Sequence, residues 1–204
     1  LGKETTAGTA VAATQWIPFQ ELTIEDVKDA IYDNSALGTR YDNFGQDTDM
    51  ERAEGNLNSF IYPNSFGLFA HAAMGSVSTG AHSGATGAYD HTFSVASTLP
   101  SYTIAKEDAN EEVRHSYGTL NTLELTVEQG AYASLSSSWV ARKSATGTNS
   151  ASFTTEKAFR PQDVVVKIAD DVAGLGAASA LRFKTLTLTI NNNVITEPSL
   201  GTVQ

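Results

Sequence analysis

The sequence predicts a mainly β protein with one α-helix, and three stretches of the chain support this fold class. Residues 119–143 read as a long β-hairpin, because apolar and polar residues alternate along both arms. Pro63–Gly75 has the composition and spacing of a helix. Lys184–Ile190 alternates again, with Leu186, Leu188 and Ile190 on one side. Together they predict a sheet with a helix packed against it.

The hairpin has one apolar and one polar face. The apolar side of its two arms carries Leu123, Leu125, Val127, Ala133, Leu135 and Trp139. The polar side of its first arm carries Thr122, Glu124, Thr126 and Glu128. Gly130 lies at the turn, where a tight hairpin requires a positive φ. A two-stranded hairpin is not stable alone, so the rest of the chain must cover the apolar face.

The helix is predicted over about residues 64–74. Asn64 or Ser65 would cap its start, and Gly75 follows its end. The apolar stripe that would cover the sheet consists of Phe66, Phe69, Ala70 and Ala73. His71 lies off this stripe and is expected on the surface.

Three further segments carry weaker patterns. Thr23–Tyr32 has apolar residues at helical spacing, so the residues alone favour a helix, although Ile, Val and Tyr prefer strands. Met50–Tyr62 reads as a strand with a bulge at Gly55. Val164–Ile168 reads as a short buried strand.

Two segments read as extensions of the core. Residues 1–14 are small and polar without periodicity, and we interpret them as an extended arm; a mobile terminus is the alternative. Residues 33–49 form a long polar connection, a class that is usually functional or disordered. Its acidic cluster lacks the ligand spacing of an EF-hand, so a solvated loop is favoured over a calcium site.

Composition limits the function classes. A chain of 204 residues fits one domain, or two small ones. The formal net charge of −10 argues against a module that grips phosphates, and it is compatible with a surface that must not bind nucleic acid. The absence of cysteine excludes disulfides, zinc-thiolate sites and thiol nucleophiles, and it fits folding in a reducing cytoplasm. No apolar run approaches the ~18 residues that span a bilayer, so no membrane insertion is expected.

Signatures of catalysis are missing from the sequence. The chain contains no H-E-x-x-H, no P-loop and no dinucleotide fingerprint, and its four histidines show no ligand spacing. A pair of carboxylates for glycoside hydrolysis is a spatial feature and stays open, but no sequence feature favours it. We therefore predict no enzyme activity, no catalytic or metal-binding residue and no cofactor.

An ordered set of short segments resembles the tail tube (major tail) proteins of long-tailed bacteriophages. The set consists of Gly2–Ala10 (GKETTAGTA), Glu54–Leu57 (EGNL), the Pro63–Gly75 helix, Tyr89–Phe93 (YDHTF), Leu99–Ile104 (LPSYTI), Tyr117–Leu125 (YGTLNTLEL), Asp163–Ile190 and Pro198–Gly201. Each segment is a few common residues, and their order and spacing over most of the chain carry the resemblance. Proteins of this type usually continue beyond the position of Gly201, so we expect a C-terminally truncated chain.

The resemblance implies a fold and an assembly. The fold is one domain over residues 1–204, with two packed antiparallel sheets in a sandwich or small barrel and one flanking helix, and it favours a strand at Thr23–Tyr32. The assembly is a stack of rings, six-fold in many such proteins, which forms the hollow tail tube. Double-stranded DNA would pass through it without specific binding. The implied partners are other copies and other tail proteins, and the implied location is the virion tail, assembled in the host bacterial cytoplasm.

The resemblance also assigns expected roles to particular residues. We predict that Thr122, Glu124, Thr126 and Glu128 face the lumen; the alternative is a solvated outer face. Contacts between rings or subunits are predicted for the long loop, at Arg40, Tyr41 and Phe44, because Arg and aromatic residues anchor interfaces. The long loop and the arm are both expected to become ordered on a neighbouring ring. The alternative function is a β-sandwich binding module for carbohydrate or a host surface, with Trp16 or Trp139 as a sugar platform; Trp139 is predicted to lie in the core.

Overall fold

The computed structural model describes residues 1–35, 38, 40, 45–108, 110–171 and 173–196. The strands are β1 (Gly2–Lys3), β2 (Glu21–Leu22), β3 (Glu25–Asp33), β4 (Gly45–Phe60), β5 (Gly75–Ala81), β6 (Tyr89–Val95), β7 (Tyr102–Glu107), β8 (Glu112–Glu128), β9 (Ser134–Ala141), β10 (Ser144–Thr146) and β11 (Thr185–Asn191). The helices are α1 (Pro63–Met74) and two 3₁₀ turns at Pro161–Asp163 and Ala173–Gly176. The predicted class, a mainly β sandwich with one flanking helix, is confirmed.

The two layers of the sandwich are parts of one antiparallel sheet. Nine strands of the described residues pair in the order β1-β7-β8-β9-β4-β2, with β10 and β11 also on β8 and β3 also on β4. Strand β8 is 17 residues long and runs through both layers. The first layer contains β1, β7 and β10, and the second layer contains β2, β3, β4, β9 and β11. The first half of β8 pairs with β7 and β10, and its second half pairs with β9 and β11. Strands β5 and β6 form a separate small sheet.

The core lies against the apolar face of the β8–β9 hairpin. Trp139 is 1% exposed and makes edge-on contacts with Phe69 of α1 and with Tyr102 of β7, at ring-centroid distances of 6.4 and 6.0 Å. The helix and the first layer thus provide the cover that the hairpin requires, and the predicted core position of Trp139 is confirmed. Gly130 has φ 93°, as expected for the turn.

The helix has the predicted length but not the predicted cap. Gly75 ends it in the left-handed conformation, with φ 94°, whereas the N-cap is Tyr62 without a side-chain hydrogen bond, so the prediction of Asn64 or Ser65 was wrong. The surface position predicted for His71 was also wrong, because this residue is buried. Its Nδ1 lies 2.6 Å from the Tyr102 hydroxyl, and this partner makes burial of a polar ring acceptable.

Three other local predictions need correction. The helix that the spacing of Thr23–Tyr32 favoured was wrong, because Glu25–Asp33 forms the strand β3. The strand that the resemblance favoured here is confirmed. The predicted 33–49 loop is shorter, because β4 already begins at Gly45 and pairs with β3 through backbone bonds that need no apolar face. Val164–Ile168 is not a strand, and Val165 and Ile168 are exposed.

Gly55 is required by a close backbone contact rather than by a bulge. The β4–β9 register passes through Gly55 without a shift, and an added Cβ would lie 2.4 Å from the Thr23 carbonyl oxygen. We expect Gly55→Ala to destabilise the protein by at least about 2 kcal/mol, because one of the two strands must move. Gly80→Ala is the control, since nothing lies within 4 Å of its Cβ. Equal urea midpoints for the two variants would contradict this account.

Two buried histidines predict acid sensitivity. Burial lowers the pKa of His71 and of His115, because a charged imidazole would lose its hydration. Since unfolded histidine has a pKa of about 6.5, acidification protonates the unfolded chain first, and stability falls as pH drops below that value until the folded histidines are protonated. We expect a smaller free energy of unfolding in urea at pH 5.5 than at pH 7.5. His115→Asn should reduce the difference and His91→Asn, on the exposed β6, should keep it; no difference in the parent protein would contradict this.

Candidate assembly surfaces

The second layer of the sheet has an open polar face opposite the core. Side chains on this face come from alternate positions of β11, β8, β9, β4 and β2. All four residues predicted to face a lumen lie on it: Glu124 and Glu128 are exposed, and Thr122 and Thr126 are half-buried. The β8–β9 alternation of the sequence places them there, since their neighbours Leu123 and Val127 are buried. That this face lines the lumen of an assembly stays a prediction.

One row of side chains crosses the whole face. Register aligns Thr189, Glu124, Ser136, Asn58 and Glu21 on five neighbouring strands. Hydrogen bonds join three of the four neighbouring pairs: the Thr189 hydroxyl donates to Glu124 at 3.4 Å, the Ser136 hydroxyl donates to the Asn58 amide oxygen at 2.7 Å, and the Asn58 amide donates to Glu21 at 2.9 Å. The row therefore consists of polar side chains, most of which are held in place by a neighbour on the next strand.

Carboxylates outnumber cations on the polar face. Its positions on β2, β4, β8, β9 and β11 carry Glu21, Glu54, Glu124 and Glu128, and one cation, Arg52 of β4. Arg52 is already paired with Asp29 and with Glu54. Such a face has a net negative charge and would repel a polyanion, since its single cation is already paired with carboxylates and its Ser, Thr and Asn side chains are uncharged.

Both lateral borders of this layer have unpaired strand edges. Within the described residues β11 pairs only with β8, whereas β2 and β3 pair only with β4. The Gln129 amide donates to the Lys184 carbonyl and the Asn192 amide to the Asn121 carbonyl. These bonds fix the antiparallel pattern, so the backbone groups of Thr185, Thr187 and Thr189 point to the free side. Free edges of this length are available for pairing with another chain.

The β3–β4 hairpin projects beyond the sheet. Its base carries Glu51, whose carboxylate is paired with Lys143 and, at 2.8 Å, with Lys28; these two cations lower its pKa to about 2. Residues Gly45–Asp49, farther out, are exposed. Arg40, predicted as a contact residue, is exposed, and the predicted contacts at Tyr41 and Phe44 lie outside the described residues.

The predicted arm is fixed to its own chain at its first residues. Strand β1 pairs with β7, and Glu4 is buried. The Glu4 carboxylate accepts hydrogen bonds from Gly8 N at 2.7 Å, and from Thr103 Oγ1 and Tyr117 N at 2.9 Å each. These contacts hold Tyr117 in its left-handed conformation, with φ 57°. The composition of residues 1–14 gave no indication of this anchoring carboxylate.

A comparison with protein families identifies the kind of protein that carries these surfaces. The model of a family described as phage tail tube protein matches residues 1–203. This chain belongs to the phage tail tube family. The tail tube protein is thus a structural component of the virion tail that assembles with other tail proteins. No curated protein matches the chain.

The described part of the tail tube protein bears on three other kinds of site. It contains no group of three or more His, Asp or Glu residues able to hold a metal ion. No described helix of the tail tube protein is long and apolar enough to cross a membrane. Trp139, a possible sugar platform, is buried, and Trp16 is partly covered by Phe153 at a centroid distance of 6.3 Å. No observation favours the carbohydrate-binding alternative.

Proposed function

We propose that copies of this tail tube protein close side by side into six-fold rings, and that the rings stack into a hollow tube lined by the polar face. The observation that carries the proposal is the five-strand row through Glu124, Ser136 and Asn58, which contains carboxylates and neutral groups but no cation. A lining of this kind lets double-stranded DNA pass without specific binding. The six-fold symmetry is inferred from the resemblance to tail tube proteins that form six-fold rings, and in this proposal assembly takes place in the host bacterial cytoplasm before DNA ejection.

The free edges supply the lateral contacts of the ring. Joining β11 of one copy to β2 or β3 of the next would satisfy backbone groups that are unpaired in the monomer and would continue the polar rows around the lumen. The core side of the sheet, with α1, would then face outwards. The segment around Arg40, Tyr41 and Phe44 would contact a neighbouring ring.

Negative-stain electron microscopy of the concentrated protein tests the proposal. We expect hollow tubes or rings of uniform diameter, and a glycan array serves as the parallel test of the alternative. A protein that stays monomeric in the presence of its tail-initiation proteins and binds a glycan would contradict the ring proposal.

A further inference from the structure

The outer end of the β3–β4 hairpin combines exposed apolar side chains with carboxylates. We call Ile31–Asp33 and Gly45–Asp49 the hairpin end. Ile31 and Tyr32 are both 53% exposed, and as neighbours on β3 they place one large apolar side chain on each face of the hairpin. Asp33, Asp47 and Asp49 give the hairpin end three carboxylates and no cation. It is therefore apolar and acidic at once.

A groove at the β8–β9 turn has the complementary composition. It has a volume of about 1040 Å³, and its apolar lining includes Val127, Val164 and Phe183. Three cations line the same groove: Arg160, Arg182 and Lys184. Arg160 is paired with Asp163 at 2.9 Å, whereas the side chains of Arg182 and Lys184 make no hydrogen bond or ion pair with the described residues. We call it the basic groove; it is a concentration of free positive charge on a chain of net charge −10.

The hairpin end and the basic groove lie at opposite ends of the sheet. Thr185 pairs with Glu128 at the groove end, where Phe60 also pairs with Ser134. The opposite end of the shared sheet is the Ala53–Ala141 pair, and the eight residues from Gly45 to Arg52 continue beyond it for about 25 Å. A second copy displaced along the strand direction would therefore bring its hairpin end towards the groove of the first.

We propose that the basic groove receives the hairpin end of another copy of this chain. Tyr32 and Ile31 would cover the apolar lining, and Asp47 or Asp49 would pair with Arg182 and Lys184. The contact joins two different surfaces, and because the second copy is displaced along the strand direction, the contact repeats head to tail. The inference rests on the proposed stacking of subunits, and it assigns the receiving surface and the cations that recognise the arriving hairpin.

Engineered disulfides test the contact directly, because the natural chain has no cysteine. Asp47→Cys in one preparation is mixed with Arg182→Cys in another under mild oxidation by copper-phenanthroline. Lys157→Cys, an exposed position outside the groove, replaces Arg182→Cys in the control. We expect at least about ten-fold more cross-linked dimer with Arg182→Cys, because the docked contact would hold the two thiols together while Asp49 and Lys184 still attract each other. Equal yields would overturn the proposal.

A charge exchange provides the second readout. Arg182→Glu with Lys184→Glu should shorten tubes about ten-fold or more at low salt, whereas Lys3→Glu with Lys157→Glu, at exposed positions outside the groove, should not. Adding Asp47→Lys and Asp49→Lys to the groove variant should restore tube length. Failure of this restoration, with tubes of the parent protein intact, would overturn the groove contact alone. Cross-linking between the Asp47→Cys and Arg182→Cys variants, together with a parent protein that never forms a ring or tube, would contradict the proposed function and support the groove contact.

Discussion

Replacing Glu124 and Glu128 with lysine is expected to convert the inner wall of the tube into a surface that retains duplex DNA. Each subunit gains two cations on the row-forming face, and a six-fold ring would present about a dozen of them to the phosphates. The monomer should fold normally, because both side chains are exposed. Tubes should therefore form but hold DNA, and phage that carry the variant should eject their genome slowly or incompletely.

DNA retention by purified tubes measures this effect. Retention by the variant should fall by about 10³-fold or more between 50 and 200 mM salt, as expected when many phosphate contacts are lost. Asp90→Lys with Asp170→Lys makes the same change of charge at exposed positions outside the polar face and should leave DNA unbound. Retention by this control, or none by the Glu124 and Glu128 variant, would contradict the assignment of the lumen.

Thr189→Pro is expected to abolish ring formation while preserving the monomer. The amide of Thr189 points to the free side of β11, so proline removes a backbone donor that the monomer does not use. A neighbouring strand would lose that bond and meet the proline ring instead. The hydroxyl bond to Glu124 is lost as well, as it is in Thr189→Ala. We expect the free energy of unfolding to change by only about 1 kcal/mol, since proline is tolerated on edge strands.

Analytical ultracentrifugation and circular dichroism distinguish the two effects. Thr189→Ala, which keeps the amide, should still assemble. Leu188→Pro should destabilise the monomer, because position 188 faces β8 and its amide is needed there. Rings formed by Thr189→Pro would exclude β11 as a lateral contact.

The sequence predicts best where one periodicity dominates. The β8–β9 hairpin, Gly130 and Gly75 were correct, because alternation along a half-buried sheet and the left-handed glycine each leave a local signature. Between Thr23 and Tyr32 the spacing of Ile24, Val27 and Ile31 is that of a helix. Pairing with β4, which lies far along the chain, overrides this local pattern.

The remaining errors have the same origin in long-range contacts. Burial of His71 depends on Tyr102, 31 residues later, and anchoring of the arm depends on Glu4 reaching Thr103. The basic groove joins the β8–β9 turn to residues 160–164 and 181–184, where no periodicity indicates a shared surface. A prediction from one sequence finds faces of single elements, whereas partners between elements require the structure.

Helical reconstruction of the assembled tube by electron cryomicroscopy tests the central claim most directly. The account predicts that Glu124, Ser136 and Asn58 point to the hollow axis and that α1 lies on the outer side of the wall. A tube in which α1 lines the lumen, with the Glu124 row on the outer surface, would contradict it.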